Sequence, residues 1–157
     1  MFDRLSTGSN FAALERAMQF GAARHQIIAN NIANWETPGF RPVDVSVKDF
    51  QRQLGEAIES REAKLLEGLG GDGPGGSDLD IDGGLALEGS DQFTVGPNGL
   101  ELHPEPMGDG ILFHDGNDRN VERILQSLTE NLMAFRFAAT MMRKQFQSID
   151  TAIRERL

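Results

Sequence analysis

The sequence contains no cysteine, which excludes disulfides and thiolate chemistry and leaves the redox compartment undetermined. No run approaches the roughly 20 apolar residues of a membrane-spanning helix. Residues 1–10 lack the apolar segment of a secretory signal, so the chain is expected to be cytoplasmic or exported by a route that needs no cleaved signal. Clusters of Lys and Arg are also missing, which excludes an electrostatic nucleic-acid interface and a basic membrane-surface helix. There is no P-loop, no dinucleotide fingerprint, and no Ser or Cys nucleophile motif to serve His25, His103 or His114. Neither an enzyme nor a cofactor is expected.

What the chain has in excess is acid, and in one place. Its net charge is -9, and residues 61–114 hold two Lys+Arg against eleven Asp+Glu, the whole imbalance. Both ends are close to charge-balanced, and both carry apolar residues at helical spacing. In the last forty residues Val121, Leu128, Phe135, Met142 and Ile149 recur every seventh position. Leu125, Leu132, Ala139, Phe146 and Ile153 fill the alternate spacing. With no Gly or Pro inside, that seam specifies one long helix packing on other helices. Met133, Phe137 and Met141 form a second apolar row behind it, so one partner helix would not cover everything.

Near the other end, Ser9 or Asn10 offers an N-cap, followed by Phe11, Leu14, Met18, Gly21, His25, Ile28 and Ile32 at 3/4 spacing. Gly21 either permits a close helix crossing or is a soft spot costing roughly 1 kcal/mol relative to Ala. His25 has no partner at ligand spacing and reads as a packed or half-exposed histidine. Ala13, Phe20 and Ile27 lie off the seam. The helix runs into Ala29-Asn30-Asn31-Ile32-Ala33-Asn34 and then Trp35-Glu36-Thr37-Pro38-Gly39-Phe40. Asn suits a helix end, Pro38 extends Thr37, and Pro38-Gly39 fits the centre of a type II turn. Helix termination alone does not require three Asn within five residues, nor the aromatic pair Trp35 and Phe40.

Asn30, Asn31, Ile32, Asn34, Thr37, Pro38, Gly39 and Phe40, in that pattern, resemble the N-terminal signature of the bacterial flagellar rod and hook proteins. A second segment, His114-Asp115-Gly116-Asn117 leading into Val121-Glu122, resembles the stretch ahead of the last helix in the proximal-rod members of that family. Asp118-Arg119-Asn120 lengthens this second motif, and residues 61–113 carry no recognisable motif of the family. The resemblance implies a structural subunit of the basal-body rod, in the periplasmic space, secreted uncleaved through the flagellar type III export apparatus. Implied partners are copies of itself, other rod proteins and the junction to the inner-membrane ring.

The expected organisation has three parts. Residues 1–67 hold the first helix, the turn and an extended Arg41–Ser46 leading to a second amphipathic helix on Val47, Phe50, Leu54, Ile58 and Leu65. Residues 68–114 hold a Gly-rich linker, Gly68–Gly76, and a small irregular or β insert. Its strand candidates are Leu79–Ile81, Leu85–Leu87, Phe93–Val95 and Leu100–Leu102, with a hairpin turn at Gly96-Pro97-Asn98-Gly99 and an end at Pro104 and Pro106. Residues 115–157 are the C-terminal helix. The fold class is mainly α, with the end helices paired as an antiparallel coiled coil. A rival reading, a calcium-responsive binding module with coiled-coil arms, rests on Asp78, Asp80, Asp82 and Gly83, the first half of an EF-hand loop. Position twelve of that loop is Gly89 where a bidentate Glu is needed, and Glu88 comes one residue early.

Overall fold

Helix α1 spans Phe2–Asn34 and α3 spans Val121–Arg154. Each is long enough, at about 1.5 Å per residue, to reach about 50 Å. The computed structural model describes residues 2–70, 85, 87–96, 99–107 and 121–155. Between the long helices lie β1 (Val43–Asp44), α2 (Val47–Gly70), β2 (Phe93–Gly96), β3 (Gly99–Leu102) and β4 (Glu105–Pro106). The chain is thus mainly helical, with two small antiparallel sheets.

Several boundaries differ from expectation, each for a local reason. Helix α1 begins at Phe2, not after Ser9 or Asn10. A cap residue ends a helix only if nothing upstream sustains it, and Ser or Asn inside a helix costs only a fraction of a kcal/mol. Helix α2 continues through Gly68 to Gly70, into the expected linker, with both glycines in the last turn, where that residue is best tolerated. Its start is capped by Ser46, whose hydroxyl accepts from Asp49 N at 3.2 Å. Leu85 and Leu87 are buried without forming a strand. The Leu79–Ile81 candidate and residues 71–76 lie outside the described residues.

Strands β2 and β3 form the expected hairpin, in the register Phe93↔Leu102, Thr94↔Glu101, Val95↔Leu100 and Gly96↔Gly99. The extended Arg41–Ser46 segment contains β1, which pairs with β4 as Val43↔Pro106 and Asp44↔Glu105. Pro106 was expected to end the β region, and instead takes part in it. Its missing N–H is not needed there, because the Asn31 side chain already bonds both backbone groups of Val43.

One buried cluster joins α1, α2 and the described strand region, while Ile124 and Ala138 of α3 are buried outside it. Phe20 of α1, Val45 beside β1, Phe50 of α2, Leu87 and Phe93 make up the cluster. The Phe20 and Phe50 rings stack at 4.0 Å and 9°, and Phe93 meets Phe50 edge-on at 5.8 Å. Leu100 and Leu102 of β3, with Ile27 and Leu54, pack around them. The described part of the expected insert therefore shares the core of α1 and α2.

Among the described elements α3 packs on α1 alone. Phe11 meets Phe146 edge-on at 5.2 Å. Gly21 lies against Phe135 and Asn131, whose amide donates to Gly21 O at 2.9 Å. A Cβ on Gly21 would sit 3.3 Å from Phe135 Cδ2, so this glycine marks a close helix approach. Gly21→Leu is expected to prise the helices apart and destabilise the chain by about 1–3 kcal/mol. A urea titration checks this, and an unchanged midpoint counts against the close approach.

Candidate assembly surface

The Asn-rich stretch divides its work. Asn31 is buried within α1, and its Nδ2 donates to Val43 O at 2.6 Å while its Oδ1 accepts from Val43 N at 3.1 Å. An amide side chain presents the same donor and acceptor as a peptide group, so Asn31 serves as a third strand beside β1. Asn34 turns back, donating to the backbone and side-chain oxygens of Asn30 at 2.9 and 2.8 Å, which satisfies a carbonyl near the helix end.

Beyond Asn34, Phe40 N donates to Thr37 O at 3.1 Å and Gly39 has φ +76, the bond and the dihedral of a type II turn on Pro38-Gly39. The turn leaves Ile32 and Trp35 exposed and Phe40 half-buried. A Cβ on Gly39 would touch nothing within 4 Å, so substitution there strains only the backbone. Gly39→Val is expected to cost about 1–3 kcal/mol. An unchanged unfolding midpoint in urea would show that the turn tolerates another conformation.

Beneath the turn, Arg24 Nε donates to Asp44 Oδ1 at 2.8 Å and Nη2 to Oδ2 at 2.5 Å. The two side chains are only 7% and 14% exposed. Asp44 Oδ1 also accepts from Val45 N at 2.8 Å. Gln92 ties the hairpin to the same corner, accepting from Ser46 N at 2.6 Å and donating to Glu105. On α2, hydrogen bonds from the Arg52 guanidinium and then from Ser90 hold the Asp49 carboxyl below its usual range. In turn, Asp49 first and then Glu56 raise the Arg52 guanidinium. This corner joins α1, β1, α2 and the hairpin.

Helix α3 carries the opposite kind of surface. Ile124, Ser127, Asn131 and Ala138 form its buried line. Val121, Leu128, Phe135 and Met142 of the seam are half-buried. Leu125, Leu132, Phe146 and Ile153 of the alternate row are exposed, as are Ile149 at the end of the first row and Met133 and Phe137 behind the seam. On α1, Ile28 is buried and Phe11, Leu14 and Met18 are half-buried. The physical cause is width: a single neighbouring helix covers only a fraction of another's circumference, and the apolar band of α3 is broader than that. Met133 and Phe137 are 67% and 62% exposed, well beyond what a finished helix face shows.

Arg24, Asp44 and Asn131 escaped the sequence reading, although each left a trace. Arg24 and Asn131 are polar residues set inside apolar rows, while Asp44 gains its role only from a partner twenty residues away. No cluster of three His, Cys, Asp or Glu residues that could hold a metal occurs among the described residues. Asp78, Asp80 and Asp82 lie outside them. His25 is exposed, and the His103 ring nitrogen lies 3.3 Å from the Thr94 hydroxyl. No helix among the described residues is long and apolar enough to cross a membrane.

Residues 11–41, from the start of the α1 seam through the turn, match the family described as Flagella basal body rod protein. The chain is also similar to the flagellar basal body rod protein FlgB of Borrelia hermsii, 27% identical over 133 residues, covering 83% of this chain and 85% of the relative. Similarity to the FlgB of Yersinia enterocolitica runs over 155 residues at 26% identity, 99% of each chain.

Proposed function

Given that this chain is a FlgB-like flagellar basal-body rod protein, a structural subunit and not an enzyme, we propose that it builds the proximal rod by helix packing. In this reading α1 and α3 form an antiparallel coiled-coil pair. The contacts Phe11–Phe146 and Gly21–Asn131, which run in opposite chain order, support it. Neighbouring subunits then cover what that pair leaves bare. The observation that carries the proposal is the apolar surface of α3, exposed from Leu125 to Ile153. Each large side chain there gains roughly 1.5–3 kcal/mol on full burial, a drive toward assembly that the isolated chain leaves unused.

The division of labour follows from packing. Helices α1 and α3 form the axial contacts, and the described part of residues 68–114 packs at the joint of Arg24 and Asp44 through Gln92 and β4. Torque passes along the rod through interlocked side chains and involves no reaction. The family reading adds neighbours among other rod proteins and at the inner-membrane ring junction, a periplasmic position, and export by the flagellar type III apparatus without a cleaved signal.

Isolation of basal bodies from the native bacterium tests the proposal. The chain is expected in the rod fraction at stoichiometric levels, and its deletion is expected to abolish rod formation and swimming. Intact rods in the deletion strain would remove the assembly role.

A further inference from the structure

We propose that the face of α3 turned away from α1 docks onto the acidic flank of the β2–β3 hairpin in a second copy of this chain. This contact rests on the rod reading above and specifies which surfaces of the subunit meet.

The first surface lies around Met133 and Phe137. Successive residues of a helix are about 100° apart, so Met133 sits roughly 200° round from Asn131, which faces α1. Arg136, Thr140 and Lys144 share that outer side, with Arg143 at its edge. Between Asn131 and Ile149 the only charged residues are Arg136, Arg143 and Lys144. All three are exposed, and none of them takes part in the ion pairs Arg24–Asp44, Arg52–Asp49, Arg52–Glu56 or Arg154–Asp150. Two bare apolar side chains bordered by three cations form a protruding anchor.

The second surface has the complementary properties. Residues 87–107 contain Glu88, Asp91, Glu101 and Glu105, and no Lys or Arg. All four acids are exposed. Beside them is an open depression of about 470 Å³ lined by Leu87, Glu88, Gly89, Ser90, Thr94 and Val95. Glu101 stands opposite Thr94 in the hairpin register. Carboxylates thus border a recess with apolar walls at Leu87 and Val95, opposite in charge to an apolar projection bordered by cations.

Within one chain the two surfaces cannot meet. Phe20 points into the core with Phe50 and Phe93, whereas the next residue, Gly21, faces Asn131 and Phe135. The hairpin and α3 therefore lie on flanks of α1 about 100° apart, with the outer side of α3 turned away from both. Between chains the contact joins two different patches, so it is head-to-tail. Repeated without closing, such a contact produces a helical array, the geometry a rod requires.

Sedimentation of the purified full-length chain tests this with two charge-reversed variants, Arg143→Glu/Lys144→Glu and Glu88→Lys/Glu101→Lys. The native chain is expected to self-associate at low salt and to weaken at about 0.5 M salt, where exposed charges are screened. Each variant alone is expected to associate at least about tenfold more weakly. Mixed one to one, the variants are expected to recover native association in alternating order, which misfolded chains could not do. A native chain that stays monomeric at low salt, variants that associate normally, or a mixture without recovery would each overturn the contact. Basal bodies separate this from the rod reading: rods that incorporate both variants normally sink the contact and keep the rod role, whereas native chain missing from basal bodies sinks the rod role itself.

Discussion

Arg24→Met is expected to destabilise the chain by about 3–5 kcal/mol, because it leaves the Asp44 carboxylate buried without its counter-ion. Both side chains are largely removed from water, and the guanidinium supplies two of the hydrogen bonds that Asp44 accepts. The remaining bond, from Val45 N, does not offset a buried charge. Asp44→Asn in the same chain is expected to recover much of the loss, since a neutral amide keeps an acceptor for Val45 N and removes the unpaired charge. Urea unfolding of the two single variants and the double variant measures this as a cycle. A single-variant cost below about 1 kcal/mol would mean that the pair behaves as an exposed one, and that the joint is held by Asn31 and Gln92 instead.

Phe93→Ala is expected to cost about 3–5 kcal/mol, the usual range for emptying an aromatic site in a core. Phe93 is 1% exposed and packs edge-on against Phe50, so the hole opens between the hairpin and both helices. Val95→Ala, on the same strand but 39% exposed, is expected to lie within about 0.5 kcal/mol of the native chain. The pair of variants separates two architectures. If the hairpin were an appendage, Phe93→Ala would release it alone and leave hydrogen exchange unchanged at the Phe20 and Phe50 amides. In the shared core described above, protection at those amides falls together with the hairpin.

The sequence made the long helices legible because apolar spacing over thirty residues has no alternative reading as strand. It also made the hairpin legible, because glycines at both ends of a two-residue gap mark a tight turn between β-rich segments. What it left open was which side of α3 is covered. Leu125 and Leu128 are chemically identical, and only the second is drawn toward α1. The discriminating residue is Asn131, whose amide has somewhere to go only if Gly21 O is within reach. The Asn-rich signature pointed to the right place, yet the strand-like role of Asn31 depends on Val43 arriving twelve residues later. Likewise the expected insert gave no hint that Leu87 and Phe93 finish a core begun by Phe20. Local pattern carries no information about which distant side chain closes a cavity.

The contact between Asn131 and Gly21 also works as a keyway between two shafts. Slipping α3 along α1 by one turn, about 5.4 Å, would take the Asn131 amide off Gly21 O and press Phe135 on a residue that has a Cβ. Intermediate displacements lose the bond before any replacement exists. Shear along the helix pair is therefore resisted in discrete steps, and a steady axial strain below the first step is stored elastically and returned. A helix pair keyed in this way resists sliding, whereas a uniformly greasy pair would creep.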